Sequence, residues 1–266
     1  TFVAFARMLI AALVFLPFLK LRKVSWSARL KLAMTGLVQF GLMYIFYLAA
    51  FKSLQAYEVA LFTIFTPIFV TLIDDAFTRR FNPLHLAVAL ITVVGTWIIE
   101  GHVLQSREVL IGFLLVQASN LCYAFGQIYY RRLMAQHPEL KDRQAFGYLY
   151  LGGLVVTALA TLLLTPLSSV TLSTKQILTL LYLGAIASGL SFFLWNIGAR
   201  KVNAGSLAVF NDLKIPLAVA VSLLVFGEST NIVRLLIGGA IIIAALALNE
   251  MMEGKRRKTR IKNPLE

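Results

Sequence analysis

Residues 36–62 and 184–210 are one segment written twice, 148 positions apart. Gly36, Gly41, Leu42, Ala56, Ala60 and Phe62 fall on Gly184, Gly189, Leu190, Ala204, Ala208 and Phe210. The unlike pairs keep their chemistry: Tyr47 matches Trp195, Ala50 matches Gly198, Lys52 matches Arg200 and Gln55 matches Asn203. Pro67 matches Pro216 one residue out of register. Two copies of one unit in a chain of hydrophobic helices are the sequence mark of a secondary transporter, and they restrict the fold to two similar halves.

The environment of those halves follows from the side chains. The chain is 59 % hydrophobic and 14 % charged, too apolar for 266 residues to bury in a soluble domain. A spanning helix needs roughly 20 apolar residues. Nine such segments are present, at 1–19, 31–51, 57–75, 83–101, 109–130, 145–166, 176–199, 204–226 and 232–250. The connections leave no room for a soluble domain, and the lone Cys122, inside a helix, excludes a disulfide framework.

The repeat gives the odd number a meaning. The half at 109–250 holds five helices and the half at 1–101 holds four, lacking a counterpart to 109–130. The simplest reading is a ten-helix protein whose first helix is missing from this chain; a genuine nine-helix protein is the alternative.

Charge sets the expected orientation. Of the 25 Lys and Arg, 19 fall in alternate connections and the tail, all on one side of the membrane, and the opposite loops hold Lys52, Arg107, Lys175 and Arg234. The positive-inside rule makes the rich side cytoplasmic, with the C-terminus inside. A unit with an odd number of helices emerges inverted in its second copy, so the halves are expected to be related by an axis in the membrane plane. The net charge of +13 is therefore a topology signal and no nucleic-acid footprint. The tail 251–266, with Lys255-Arg256-Arg257-Lys258, is read as cytoplasmic and in contact with anionic headgroups.

The pattern Gly36…Tyr47…Ala56…Pro67, repeated as Gly184…Trp195…Ala204…Pro216 and followed by Phe226-Gly227-Glu228, resembles the EamA-type family of the drug/metabolite transporter superfamily. Phe5-Ala6-Arg7-Met8-Leu9-Ile10-Ala11-Ala12 is similar to that family's second helix, and Gly112 to Arg132 to the start of its second repeat. The resemblance implies ten helices in two inverted five-helix repeats around a central cavity, and transport of amino acids, carboxylates, amines, nucleoside-like metabolites or drugs across the cytoplasmic membrane. The chain departs from the family pattern at Asn211-Asp212-Leu213-Lys214, where such helices are more apolar.

A binding site in such a chain must be sought among polar groups inside the spans. Asp212 and Lys214 lie about ten residues from either end of 204–226, at a depth where a charge costs about 2.5–3.5 kcal/mol and faces a cavity or a partner. Pro216 takes the helical donor from the Asp212 carbonyl and Pro67 does the same to Thr63, so both are expected to break their helices. Asn211, Thr63 and Thr66 sit beside these breaks. Gln117 and Asn120 form a polar stripe with Gln127, and Tyr47 and Trp195 are matched aromatics suited to framing one solute. Ser188 and Ser191 fit interhelical packing better, and Arg7 fits either the interface or the mouth of a cavity.

The sequence therefore leads to an all-α membrane protein, an inverted repeat with nine of ten helices present. Its expected work is alternating-access transport of a small polar solute, an amino acid or related carboxylate or amine. The alternative is a membrane-embedded enzyme or a non-transporting membrane subunit. His85, His102 and His137 show no metal-ligand spacing, and no nucleophile elbow or phosphate loop is present, so no cofactor or metal is implied. The oligomeric state is not legible.

Overall fold

A computed structural model of the chain describes residues 1–19, 24–54, 59, 62–79, 81–100, 107–166, 168, 170–221 and 232–262. Among these, all regular structure is helical, in nine segments that each overlie one of the nine apolar runs. The elements are α1 (Phe2–Phe15, continued by a 3-10 turn Leu16–Phe18), α2 (Trp26–Gly36), α3 (Met43–Ala50), α4 (Thr66–Thr78, preceded by a 3-10 turn Thr63–Phe65), α5 (Pro83–Glu100), α6 (Arg107–Gln136), α7 (Asp142–Leu164), α8 (Thr174–Tyr182), α9 (Phe192–Ala199), α10 (Ala204–Val221) and α11 (Ile232–Lys262). Leu37–Leu42 joins α2 to α3 and Leu183–Ser191 joins α8 to α9, both as π-helix. Four of the segments, Trp26–Ala50, Arg107–Gln136, Asp142–Leu164 and Thr174–Ala199, are long and apolar enough to cross a membrane, and Phe2–Phe18, Pro83–Val94 and Leu236–Asn249 are shorter apolar helices.

The chain divides into two compact units, one of residues 1–55 and 106–201, the other of residues 56–105 and 202–266. Each unit takes a piece of both sequence repeats. In the first, α1 and α2 pack on α7, α3 packs on α6, and α1 also lies against the π-helical turn at Leu183–Ser191. In the second, α10 packs on α4, α5 and α11, and α5 on α11.

The first unit is built round close backbone approach. A Cβ on Gly36 would run into the backbone of Leu149, and one on Gly152 into the backbone of Ala33. The α2 and α7 backbones therefore meet with no side chain between them, as small residues permit in lipid-embedded helices. Beside this contact Phe15, Phe40, Phe146, Tyr150 and Phe193 form an aromatic core with ring centroids 5.1–6.1 Å apart. Outward-facing side chains are apolar too: Leu162, Leu163 and Leu164 are exposed at the end of α7, as lipid solvation allows.

The helix ends are stopped locally. Ser25 caps α2 by accepting from Ala28 N at 3.2 Å, and Ser173 with Gln176 forms a capping box on α8. Arg79 ends α4 at φ 51°, and Asp75 Oδ2 accepts Asn82 N at 3.0 Å across the turn to α5.

The two prolines stand in different surroundings. Pro67 stands in the first turn of α4, directly after a 3-10 turn. Pro216 lies within α10, which continues as α-helix to Val221. Proline removes one hydrogen bond from a helix, and neighbouring helices can hold the remaining backbone in register, so the break predicted at Pro216 is absent. The basic tail also has regular backbone: α11 runs on to Lys262.

Candidate functional site

The repeat is visible in the first unit as a shared irregularity. Shifting Leu37–Leu42 by the repeat interval gives 185–190, inside the second π segment. π turns concentrate at functional sites and leave backbone carbonyls poorly used. In the second segment a hydroxyl from a neighbouring helix takes them: Tyr150 Oη donates to Ser188 O at 2.5 Å and Gly189 O at 2.8 Å, and just past the first segment Ser119 Oγ donates to Met43 O at 3.1 Å. Tyr44 and Phe192, equivalent under the repeat, touch each other with ring centroids 6.1 Å apart. Contact between equivalent residues is what a local symmetry axis between the two segments produces.

Arg7 reaches this junction from α1. Its Nε donates to Ser188 Oγ at 2.9 Å and its Nη2 to Tyr44 Oη at 2.6 Å, while the two hydroxyls are 3.0 Å apart. Cζ lies 4.4 Å from the Tyr44 ring centroid, a cation–π contact. One edge of the guanidinium, Nε and Nη2, is thereby held by protein hydroxyls. Among the described residues no carboxylate pairs with Arg7, and its Nη1 makes no hydrogen bond. A guanidinium offers five donors in a planar fork matched to carboxylate or phosphate. Arg7 is half-buried, with Nε and Nη2 held by hydroxyls and Nη1 left for a further acceptor.

A second polar pair lies deeper. Gln39 Nε2 donates to Asn196 Oδ1 at 3.0 Å and Asn196 Nδ2 to Phe192 O at 2.9 Å, both residues fully buried. At the end of the unit Asp142 Oδ1 accepts from Tyr130 Oη at 2.6 Å and from Arg200 Nη1 at 2.5 Å. That single oxygen ties the ends of α6, α7 and α9 together. Asp142→Ala leaves a buried phenol and a half-buried guanidinium without their acceptor, and should cost about 1–3 kcal/mol, read as a lower melting temperature in detergent.

The residues expected to form the site are divided between the units. Tyr47, Gln117, Asn120 and Trp195 belong to the first. Tyr47 is half-buried with its ring edge-on to Phe51, Asn120 Nδ2 donates to Gln117 Oε1 at 3.2 Å, and Trp195 is half-buried. Asn211, Asp212, Thr63 and Thr66 belong to the second. Thr66 Oγ1 donates to Thr63 O at 2.7 Å and Asn211 Nδ2 to Leu207 O at 2.9 Å, each bonding back to its own segment, and Asp212 is fully buried. The Lys214 side chain lies outside the described residues. Among the described residues no group of three or more His, Cys, Asp or Glu could hold a metal ion.

Sequence reasoning left Arg7 undecided and placed Ser188 in a packing role. The i, i+3, i+7 stripe of Ser188, Ser191 and Trp195 assumes an α-helix. The π segment alters that register, burying Ser188 and exposing Ser191. The usable signal was the glycine pair repeated in both copies, Gly36 and Gly41 with Gly184 and Gly189, where backbone can widen and approach closely.

Known proteins agree with this architecture. The model of the EamA-like transporter family matches residues 1–101 and 110–250. A probable biotin transporter of Pseudomonas aeruginosa is 39 % identical over 251 residues, covering 94 % of this chain and 87 % of that protein. The biotin transporter of Escherichia coli K12 is 35 % identical over 246 residues, covering 92 % and 82 %. A probable amino-acid metabolite efflux pump of Salmonella typhimurium is 24 % identical, covering 90 % and 84 %. One crystal structure superposes with a TM-score of 0.74 at 20 % identity, over 94 % of this chain and 86 % of the other, a likeness of fold. An internally repeated helical chain, matched by this family over nearly its whole length, belongs to the EamA-like transporter family and is a small-molecule transporter, not an enzyme, in the inner membrane.

Proposed function

We propose that the protein carries a small carboxylate-bearing metabolite, with biotin as the solute, by alternating access between two inverted repeats. The observation that carries this reading is Arg7, with Ser188 and Tyr44 on one edge of its guanidinium and no carboxylate partner among the described residues. Biotin has one ionised carboxylate on a flexible apolar chain, which suits a fork at the rim of an aromatic unit. The relatives at 39 % and 35 % identity are named biotin transporters. An amino acid is the second reading, supported by the relative named an amino-acid metabolite efflux pump and by the charge pair Asp212 and Lys214. In this arrangement the C-terminus is cytoplasmic and the basic tail meets anionic headgroups.

The test is flux through the full chain reconstituted in liposomes. Saturable movement of labelled biotin is expected, blocked by unlabelled biotin and not by biotinamide, whose carboxylate is replaced by a neutral amide. Amino-acid flux with no biotin flux would replace this reading with the second one.

A further inference from the structure

The phenol of Tyr150 does work that packing alone does not require. Its ring is fixed by neighbours: it stacks on Phe40 at 5.1 Å and 22°, and meets Phe146 edge-on at 5.5 Å. Its hydroxyl spans two successive carbonyls, those of Ser188 and Gly189, at 2.5 and 2.8 Å. Both belong to the π segment, and Ser188 carries the hydroxyl that accepts from Arg7 Nε. Resting on the reading of Arg7 as the carboxylate site, we propose that Tyr150 is the positioning residue of that site. It keeps the turn at Leu183–Ser191 wide, so that Ser188 Oγ holds Nε of Arg7, Tyr44 holds Nη2, and the Nη1 side stays turned to the solute.

The physical reason is local. A π turn persists only where its carbonyls find donors, since the α-helix is otherwise the better hydrogen-bonded state. Without the Tyr150 hydroxyl, two carbonyls lose the one donor they share and the segment gains by tightening toward α-helix. Tightening re-indexes the turn, carries Ser188 away from Arg7, and leaves the guanidinium free to fold its open edge onto Tyr44. The site would then lose its preference for a charged carboxylate while keeping its apolar contacts.

Equilibrium binding of biotin and of biotinamide to the full chain in detergent reads this directly. The wild type should prefer biotin by at least about tenfold, the scale of a hydrogen bond to a charged group. Tyr150→Phe should weaken biotin about tenfold and leave biotinamide unchanged, and in a Ser188→Ala background it should add less than about twofold, because it acts through Ser188. A loss of equal size for both ligands, or full additivity with Ser188→Ala, overturns the proposal and leaves the carboxylate reading standing. A wild type that does not distinguish the ligands overturns the carboxylate reading itself, and the proposal with it. Should Tyr150→Phe fail to fold, Ser188→Ala carries the test: it removes the hydroxyl, keeps the backbone, and must weaken biotin selectively.

Discussion

Arg7→Ala is expected to abolish carboxylate transport while the protein still reaches the membrane in normal amount. Removing one partner of a desolvated charge contact costs about 2–5 kcal/mol, a loss of roughly 30-fold or more in affinity. The protein's own fold should tolerate the change. Arg7 is half-buried, its partners Tyr44 and Ser188 keep a hydrogen bond to each other at 3.0 Å, and Tyr150 holds the turn independently. Arg7→Lys keeps the charge and loses the planar fork, so it should bind biotin with intermediate affinity. The measurement is uptake and equilibrium binding of labelled biotin, with membrane content followed by a fluorescent fusion. Full uptake by Arg7→Ala would remove Arg7 from the solute site and return attention to Asp212 and Lys214.

The second large effect is expected at the α2–α7 contact. Gly36→Ala and Gly152→Ala each place a methyl group inside the van der Waals radius of backbone atoms on the opposing helix. Alanine in a free helix is better than glycine by up to about 1 kcal/mol, so the sign of this prediction is a real choice between effects. Backbone cannot swing aside as a flexible side chain can, and overpacking of this kind costs about 1–3 kcal/mol or more. Both variants should therefore melt at lower temperature, and bulkier replacements such as Gly36→Val should fail to accumulate. The repeat-related Gly184 provides the internal comparison. A Cβ there meets the side chain of Ile10, not backbone, so Gly184→Ala should be milder than Gly36→Ala. Equal melting temperatures for all three would mean that α2 and α7 separate at little cost.

The nine helical segments were legible because lipid imposes one simple condition, a run of apolar residues long enough to satisfy its own backbone. The repeat was legible because both copies keep the same small residues, Gly36 and Gly41 with Gly184 and Gly189. The site was legible only in part. Lys214 and Asp212 stand out in sequence because depth can be counted along a helix, whereas Arg7 is ambiguous from sequence because its depth depends on neighbours that no local pattern names. The face shared by Ser188 and Ser191 is altered for a related reason: helical spacing assumes 3.6 residues per turn, and a π segment bonded by Tyr150, 38 residues away, breaks that assumption. Pro216 failed the opposite way, since a proline is a local penalty and tertiary packing kept α10 helical through it. The sequence by itself determined what is periodic and local: spans, repeat, class of protein and expected sidedness. Only the tertiary structure decided which polar groups meet, because the Arg7, Tyr44, Ser188 and Tyr150 cluster joins residues up to 181 positions apart through hydrogen bonds whose energy depends on geometry, not spacing.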